Sequence, residues 1–209
     1  LNIVTTKDVK SYLKEGEAYF RMYVYIENAV TYQIVRNAQD FYESAVAFGN
    51  FANLLAEFDA SQLYEILPDF HNTKKRYENF KRAVERDICG RKAQVQSEID
   101  WMVGHSGLCG KIVDKIAACE IPLRVTHNDT KLNNVMIDAE TGKALAVIDL
   151  DTLMPGSLCY DFGDSIRFGC NSAAEDEPDL SKVHFRPDLY ETYLKGYLSA
   201  AGASITEEE

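Results

Sequence analysis

His127-Asn128-Asp129-Thr130-Lys131-Leu132-Asn133-Asn134 is the stretch on which the reading of this chain turns. Seven of its eight residues are polar or charged, and it lies between two apolar, β-branched runs. Leu123-Arg124-Val125-Thr126 leads into it, and Asn134-Val135-Met136-Ile137 leads out. Both runs have strand composition. Lys143-Ala144-Leu145-Ala146-Val147-Ile148 forms another such run, and Asp138-Ala139-Glu140-Thr141-Gly142 between them has turn composition. The spacing predicts a hairpin that carries the chain out from Asn134 and back to Asp149, twenty residues beyond Asp129.

The pattern H-x-D-x-x-x-x-N is that of the protein-kinase catalytic loop, and its spacing has a chemical reason. Phosphoryl transfer needs a carboxylate at the acceptor hydroxyl and metal ligands a few ångströms away at the β/γ-phosphates. Asp129 supplies the carboxylate and Asn134 one metal ligand. The hairpin delivers Asp149 as the second. Both ligands are oxygen donors, as Mg²⁺ requires. Lys131 places positive charge where the migrating phosphoryl builds negative charge. His127 is read as a hydrogen-bonding brace for the loop.

Two other motifs compete for attention. Asp161-Phe162-Gly163 spells the metal-binding tripeptide of protein kinases, but it lies thirty-two residues after Asp129 and follows a Pro155-Gly156 break. Asp149 has the better spacing and strand context. Asp161 is left with two readings: an acceptor for backbone N–H groups of the catalytic loop, or a helix N-cap. Gly104-His105-Ser106-Gly107-Leu108-Cys109-Gly110-Lys111 approximates a phosphate-binding loop, yet Ile112 stands where Ser or Thr is needed and the glycine spacing is wrong. A helix-breaking loop is the expectation there.

Outside the loop the period is mostly helical. Phe41, Ala45, Phe48, Ala52, Leu55 and Phe58 recur at threes and fours, which predicts an amphipathic helix over 38–58. Helices are also expected within 70–100, with a break near Cys89-Gly90, over 108–120, after Pro155-Gly156, and around 187–200. An acidic surface loop is expected at 171–182. Residues 17–36 are aromatic and β-branched and read as two short strands broken near Glu27-Asn28. Thr206-Glu207-Glu208-Glu209 has the form of a capping box. It reads either as the start of a helix that the chain does not continue or as a frayed acidic terminus.

The chain of 209 residues is 46% hydrophobic with a net charge of −11, enough apolar residue for a packed core and the wrong balance for a nucleic-acid binder. Lys74-Lys75-Arg76 and Lys81-Arg82 read as a solvated helix face. Five cysteines without a C-x-x-C pair read as reduced thiols, which suits a cytoplasmic protein. No apolar run is long enough to span a membrane. Composition says nothing of oligomeric state.

The runs 127–134, Val147-Ile148-Asp149-Leu150-Asp151-Thr152-Leu153-Met154-Pro155-Gly156 and Tyr160-Asp161-Phe162-Gly163-Asp164-Ser165-Ile166-Arg167 together resemble the aminoglycoside phosphotransferase/choline kinase superfamily. Within it they look most like the N-acetylhexosamine 1-kinases. The resemblance is close over 120–185 and loose upstream. It implies an α+β fold dominated by a kinase-like C-terminal lobe over 37–209, with residues 1–36 holding the last strands of the N-terminal lobe and the hinge. It also implies ATP and Mg²⁺, and an amino-sugar acceptor phosphorylated at the anomeric hydroxyl. Asp129 would be the base, Asn134 and Asp149 the metal ligands, and Asp151 either an accessory metal ligand or, the preferred reading, a structural acid. Tyr25 to Asn28 would contact the adenine by backbone, with Glu27 and Asn28 the residues at the nucleotide. Asp164 and Arg167 either face the acceptor or form a surface ion pair. No glycine-rich phosphate loop precedes residue 38, so the chain is expected to be part of a longer enzyme. A non-catalytic module built on a kinase C-lobe is the reading from another class. Choline, an aminoglycoside or homoserine are the other acceptors considered.

Overall fold

The computed structural model describes residues 1–209 as an α+β fold. Two short strands, β1 (Leu13–Glu15) and β2 (Ala18–Phe20), form an exposed hairpin around Gly16. β3 (Ala29–Val30) follows a turn at Glu27-Asn28. Four helices come next: α1 (Ala38–Leu54), α2 (Thr73–Arg86), α3 (Gln96–Gly104) and α4 (Lys111–Ala117). β4 (Arg124–Thr126) leads into the loop at 127–134, and β5 (Val135–Asp138) and β6 (Ala144–Val147) form the expected hairpin. β7 (Met154–Gly156), α5 (Leu158–Gly169) and α6 (Pro187–Ala201) complete the fold.

Two small antiparallel sheets hold the catalytic loop at its ends. β4 pairs with β7 in the register Thr126↔Met154. The other sheet has the order β3-β5-β6. Val30 faces Ile137 across it, so residues 29–30 are annealed to the catalytic hairpin. The second strand expected in 17–36 is correspondingly short.

The core lies between α1, the hairpin, α5 and α6. Phe41, Ala45 and Phe48 of α1 meet Leu132, Val135 and Ile137 of the loop and hairpin, and Leu189, Tyr193 and Tyr197 of α6. α1 stops at Leu54, earlier than expected, and Phe58 beyond it is 45% exposed. Glu43 of α1 is buried, but it is not orphaned: its carboxylate takes Lys143 Nζ at 2.7 Å and the Ala144 N–H at 3.3 Å. That contact ties α1 to the start of β6. α2 contributes no buried residue and lies at the periphery. The 104–110 segment is a short 3₁₀ turn over Ser106–Leu108 between α3 and α4. All five cysteines are free, and no helix is long and apolar enough to cross a membrane.

α1 and α6 approach unusually closely, and two glycines permit it. A Cβ added to Gly49 would stand 2.7 Å from the Tyr197 carbonyl oxygen, and one added to Gly196 would stand 2.7 Å from that of Tyr42. Backbone cannot yield as a side chain can. Overpacking of this kind costs about 1–3 kcal/mol, while alanine regains about 1 kcal/mol over glycine inside a helix. Gly49→Ala and Gly196→Ala are each expected to melt below the wild type. A thermal unfolding series checks this, and an unchanged or raised melting temperature would show that the helices can separate cheaply.

Candidate active site

The loop at 127–134 is irregular and largely buried, so its backbone polar groups need partners that no strand or helix supplies. Side chains provide them. Asp161, in the first turn of α5, accepts the N–H of His127 on one oxygen and that of Asn128 on the other, each at 2.8 Å. The N-cap of α5 is Ser157, whose side chain accepts the Cys159 N–H. Asp164, one turn further along α5, accepts the Thr130 N–H at 3.0 Å. The Thr130 hydroxyl donates to the Asp161 carbonyl, and Ser165 Oγ donates to the Thr130 carbonyl. Tyr193 of α6 closes this chain by donating its phenol to Ser165 Oγ at 2.7 Å.

His127 is fully buried and joins the two halves of the site. Its Nε2 lies 2.9 Å from the Ile148 carbonyl, and its Nδ1 accepts the Asp129 N–H at 3.3 Å. Only the tautomer protonated on Nε2 satisfies both partners. Burial holds its pKa below the ordinary histidine value, against the pull of the Ile148 carbonyl and the nearby Asp129, Asp149 and Asp164 charges. The neutral ring this favours is the one the geometry needs. Phe48 and Phe51 of α1 meet the ring edge-on at 5.5 and 5.7 Å.

Asp129 emerges from this frame partly exposed. Asn134 Nδ2 donates to its carbonyl at 2.8 Å and to its carboxylate at 3.0 Å, and Lys131 Nζ lies 3.5 Å away. The Ile148 N–H donates to the Asn134 carbonyl at 2.9 Å, so Asp149 follows directly on a residue bonded to Asn134. Asn128 and Asp149 both adopt left-handed backbone, with φ of 67° and 60°. Asn and Asp are the non-glycine residues that reach this region most readily. Asp149 is exposed and makes no capping bond of its own. A divalent metal fits this donor set: an amide and a carboxylate oxygen on neighbouring backbone, with the amide nitrogen already committed to Asp129. No group of three or more His, Cys, Asp or Glu side chains with metal-binding geometry exists in the chain. Any ion here would complete its shell with water and phosphate, the usual habit of Mg²⁺.

A cleft of about 700 Å³ opens beside these residues. Met136, Ile148 and Asp149 line one wall, and Met22–Ile26 line the other. Arg21 and Asp151 bridge its mouth at 2.5 Å. Asp151 is thus in an ion pair across the cleft. Glu27 and Asn28, expected at the adenine, are not among the lining residues. The Asn28 carbonyl accepts the Ala139 N–H at 2.8 Å, because β3 pairs with β5 immediately afterwards. Arg167 pairs with Asp164 at 2.9 Å and with Glu175 at 2.6 Å, and Glu175 reaches Lys131 at 3.7 Å. Glu175, in the acidic loop, carried no sequence signal beyond that loop's charge. Thr130, Thr152 and Ser165 likewise went unmarked, since hydroxyl residues are too common to be singled out by type.

The chain matches the family model described as "Phosphotransferase enzyme family" over residues 6–205 and belongs to that family. Among similar solved structures are an aminoglycoside-3′-phosphotransferase of type VIII (17% identity, TM-score 0.45, covering 99% of this chain and 68% of that one) and the ADP-bound aminoglycoside phosphotransferase APH(2'')-Ib (16%, 0.46, 93% and 62%). A third is the streptomycin–ATP–APH(2")-IIa ternary complex (16%, 0.48, 93% and 62%). The chain spans 62% of the length of the last two.

Asp161 gives the site a pH signature. Burial raises its pKa to about 7, with the Asp164 charge acting in the same direction and the two backbone N–H groups opposing. The folded value stands above the unfolded one, so folding favours the protonated acid. The linked stabilisation is complete below about pH 4 and is lost as the pH rises through about 7. Asp161→Asn removes this titration and turns an amide N–H toward a backbone N–H. Its melting temperature should be lower than wild type at pH 5, with the gap narrowing toward pH 8. Parallel melting profiles across that range would show that burial does not control this carboxyl.

Proposed function

We propose that the protein transfers the γ-phosphoryl group of ATP to the anomeric hydroxyl of an N-acetylhexosamine. The observation that carries the transfer reaction is the His127 bridge, because one buried ring fixes both the Asp129 backbone and the strand end that bears Asp149. The sugar acceptor rests on the resemblance over 147–167 and goes beyond family membership.

In this reading Asp129 accepts the proton of the acceptor hydroxyl as its oxygen bonds to the γ-phosphorus and the bond to the departing ADP oxygen breaks. Asn134 Nδ2 holds the carboxylate in place at 3.0 Å. Lys131 offsets the charge that builds on the transferring group, worth most in a site shielded from water. Asn134 and Asp149 would hold Mg²⁺, which neutralises phosphate charge. Of the expected segment Tyr25 to Asn28, Tyr25 and Ile26 line the cleft with Tyr23, Val24 and Met136, so Tyr23–Ile26 would face the adenine.

Transfer from γ-labelled ATP to N-acetylglucosamine, N-acetylgalactosamine, choline, an aminoglycoside and homoserine tests the proposal. Label is expected on the anomeric oxygen of an N-acetylhexosamine. Transfer to choline or an aminoglycoside with none to any amino sugar would sink the acceptor and keep the reaction. Asp129→Asn should lower kcat by roughly 10²–10⁴, the usual worth of a positioned base. Full activity in that variant would remove Asp129 from the role.

A further inference from the structure

The two carboxylate oxygens of Asp129 are not equivalent. Oδ2 accepts Asn134 Nδ2 at 3.0 Å, which leaves Oδ1 for the proton of the acceptor hydroxyl. Lys131 Nζ stands 3.5 Å from that same Oδ1. A charge-assisted N–H···O bond would draw it in to about 2.7–2.9 Å. The ammonium is therefore beside the free oxygen without being bonded to it.

A second carboxylate lies on its other side. Glu175 Oε2 is 3.7 Å from Lys131 Nζ, so the ammonium stands between two acids at nearly equal distances. Glu175 is itself held. Its Oε1 accepts Arg167 Nη1 at 2.6 Å, and Arg167 gives Nε and Nη2 to Asp164 Oδ1 at 3.0 and 2.9 Å. Asp164 Oδ2 accepts the Thr130 N–H, so the run of alternating charges returns to the residue between Asp129 and Lys131 and closes a ring. The Arg167 hydrogen bond holds the Glu175 pKa below the ordinary carboxylate value, against burial and with the Arg167 and Lys131 charges acting the same way. The group is ionised at neutral pH.

Lysine is a point charge on a flexible four-carbon stem. With Asp129 as its one anionic neighbour, the ammonium would close on Oδ1. That bond would occupy the oxygen meant for the acceptor's proton and turn the charge away from the migrating phosphoryl group. Two opposed carboxylates at similar distances divide the pull, because Coulomb attraction falls with separation alike toward both.

We infer that Glu175 is a positioning residue: clamped by Arg167, it holds the Lys131 ammonium off Asp129 Oδ1 and keeps that oxygen open. This rests on the reading of Asp129 as the base. It also gives the Asp164–Arg167 pair a task other than contact with the acceptor.

Crystal structures of the wild type and of Glu175→Gln read the distance directly. Nζ should stand off Oδ1 in the wild type and close to about 2.7–2.9 Å in the variant. In the labelled-ATP assay Glu175→Gln should lower kcat roughly tenfold, the effect of one charge-assisted bond that must break before reaction, with KM for ATP and acceptor unchanged. Glu175 is half-exposed, and exposed ion pairs add little to stability, so the melting temperature should hold. In a Lys131→Met background the same substitution should cost nothing further, since the group it restrains is gone. Glu175→Asp keeps the charge on a shorter arm and should recover part of the rate. Nζ bonded to Oδ1 in the wild type, or unmoved in the variant, overturns the inference whatever the kinetics. So does an equal loss in the Lys131→Met background, or a raised acceptor KM with kcat intact. A wild type that transfers phosphate and a Glu175→Gln variant that matches its rate overturn the positioning role and leave the function standing. A wild type that transfers to no acceptor overturns the function and the role together.

Discussion

A buried loop without regular structure must find a partner for each of its peptide groups, and in this protein that requirement organises everything around residues 127–134. Unpaired buried backbone groups cost about 1–3 kcal/mol each, so a few of them would consume most of a domain's stability. α5 answers with two acids one turn apart: Asp161 takes two N–H groups and Asp164 a third. His127 Nδ1 takes the N–H of Asp129. The carbonyls are covered from elsewhere: His127 by Thr152 Oγ1, Asp129 by Asn134 Nδ2, Thr130 by Ser165 Oγ, and Lys131 by the Asn134 N–H. These bonds on either side of it leave Asp129 little freedom except at its carboxylate.

The rest of the fold supports α5 and the hairpin from behind. Tyr193, fully buried on α6, places its hydroxyl on Ser165 and its ring against Phe41 at 4.7 Å. The glycine contacts between α1 and α6 bring that phenol close enough to serve. Phe48 and Phe51 pack on His127 from α1, while Glu43 on the same helix holds Lys143 at the base of β6. One helix therefore touches both the brace of the loop and the strand that returns to Asp149. Deleting a member of such a network leaves the remaining partners buried and unpaired.

Where hydrophobic period and turn chemistry act locally, the fold could be read in advance. The apolar recurrence from Phe41 to Ala52 marked α1, and the Asp138–Gly142 turn between apolar runs marked the hairpin. Helix ends were less legible: Leu55 and Phe58 continue the pattern, but the chain leaves the core there and solvent replaces packing. Glu27 and Asn28 were placed by the resemblance, and the pairing of β3 with β5, a long-range contact, took up the Asn28 carbonyl. The spacing of Asp129, Asn134 and Asp149 was visible because the hairpin sets it within twenty-odd residues.

The β5–β6 ladder behaves as an arm of fixed length. Asn134 and Asp149 lie at its open end, where Val135 faces Val147, and the turn at 138–142 lies at the far tip. Residues gained or lost at the tip change the arm's reach into solvent and leave the open end as it was. The ladder already carries one bulge, between Met136 and Ile137, and a further residue gained in β5 ahead of Ile137 would exchange the two faces beyond it and send Ile137 out of the core. Evolution of this protein is thus offered one tolerant site for length variation within the catalytic segment, and it is the part of the hairpin farthest from the chemistry.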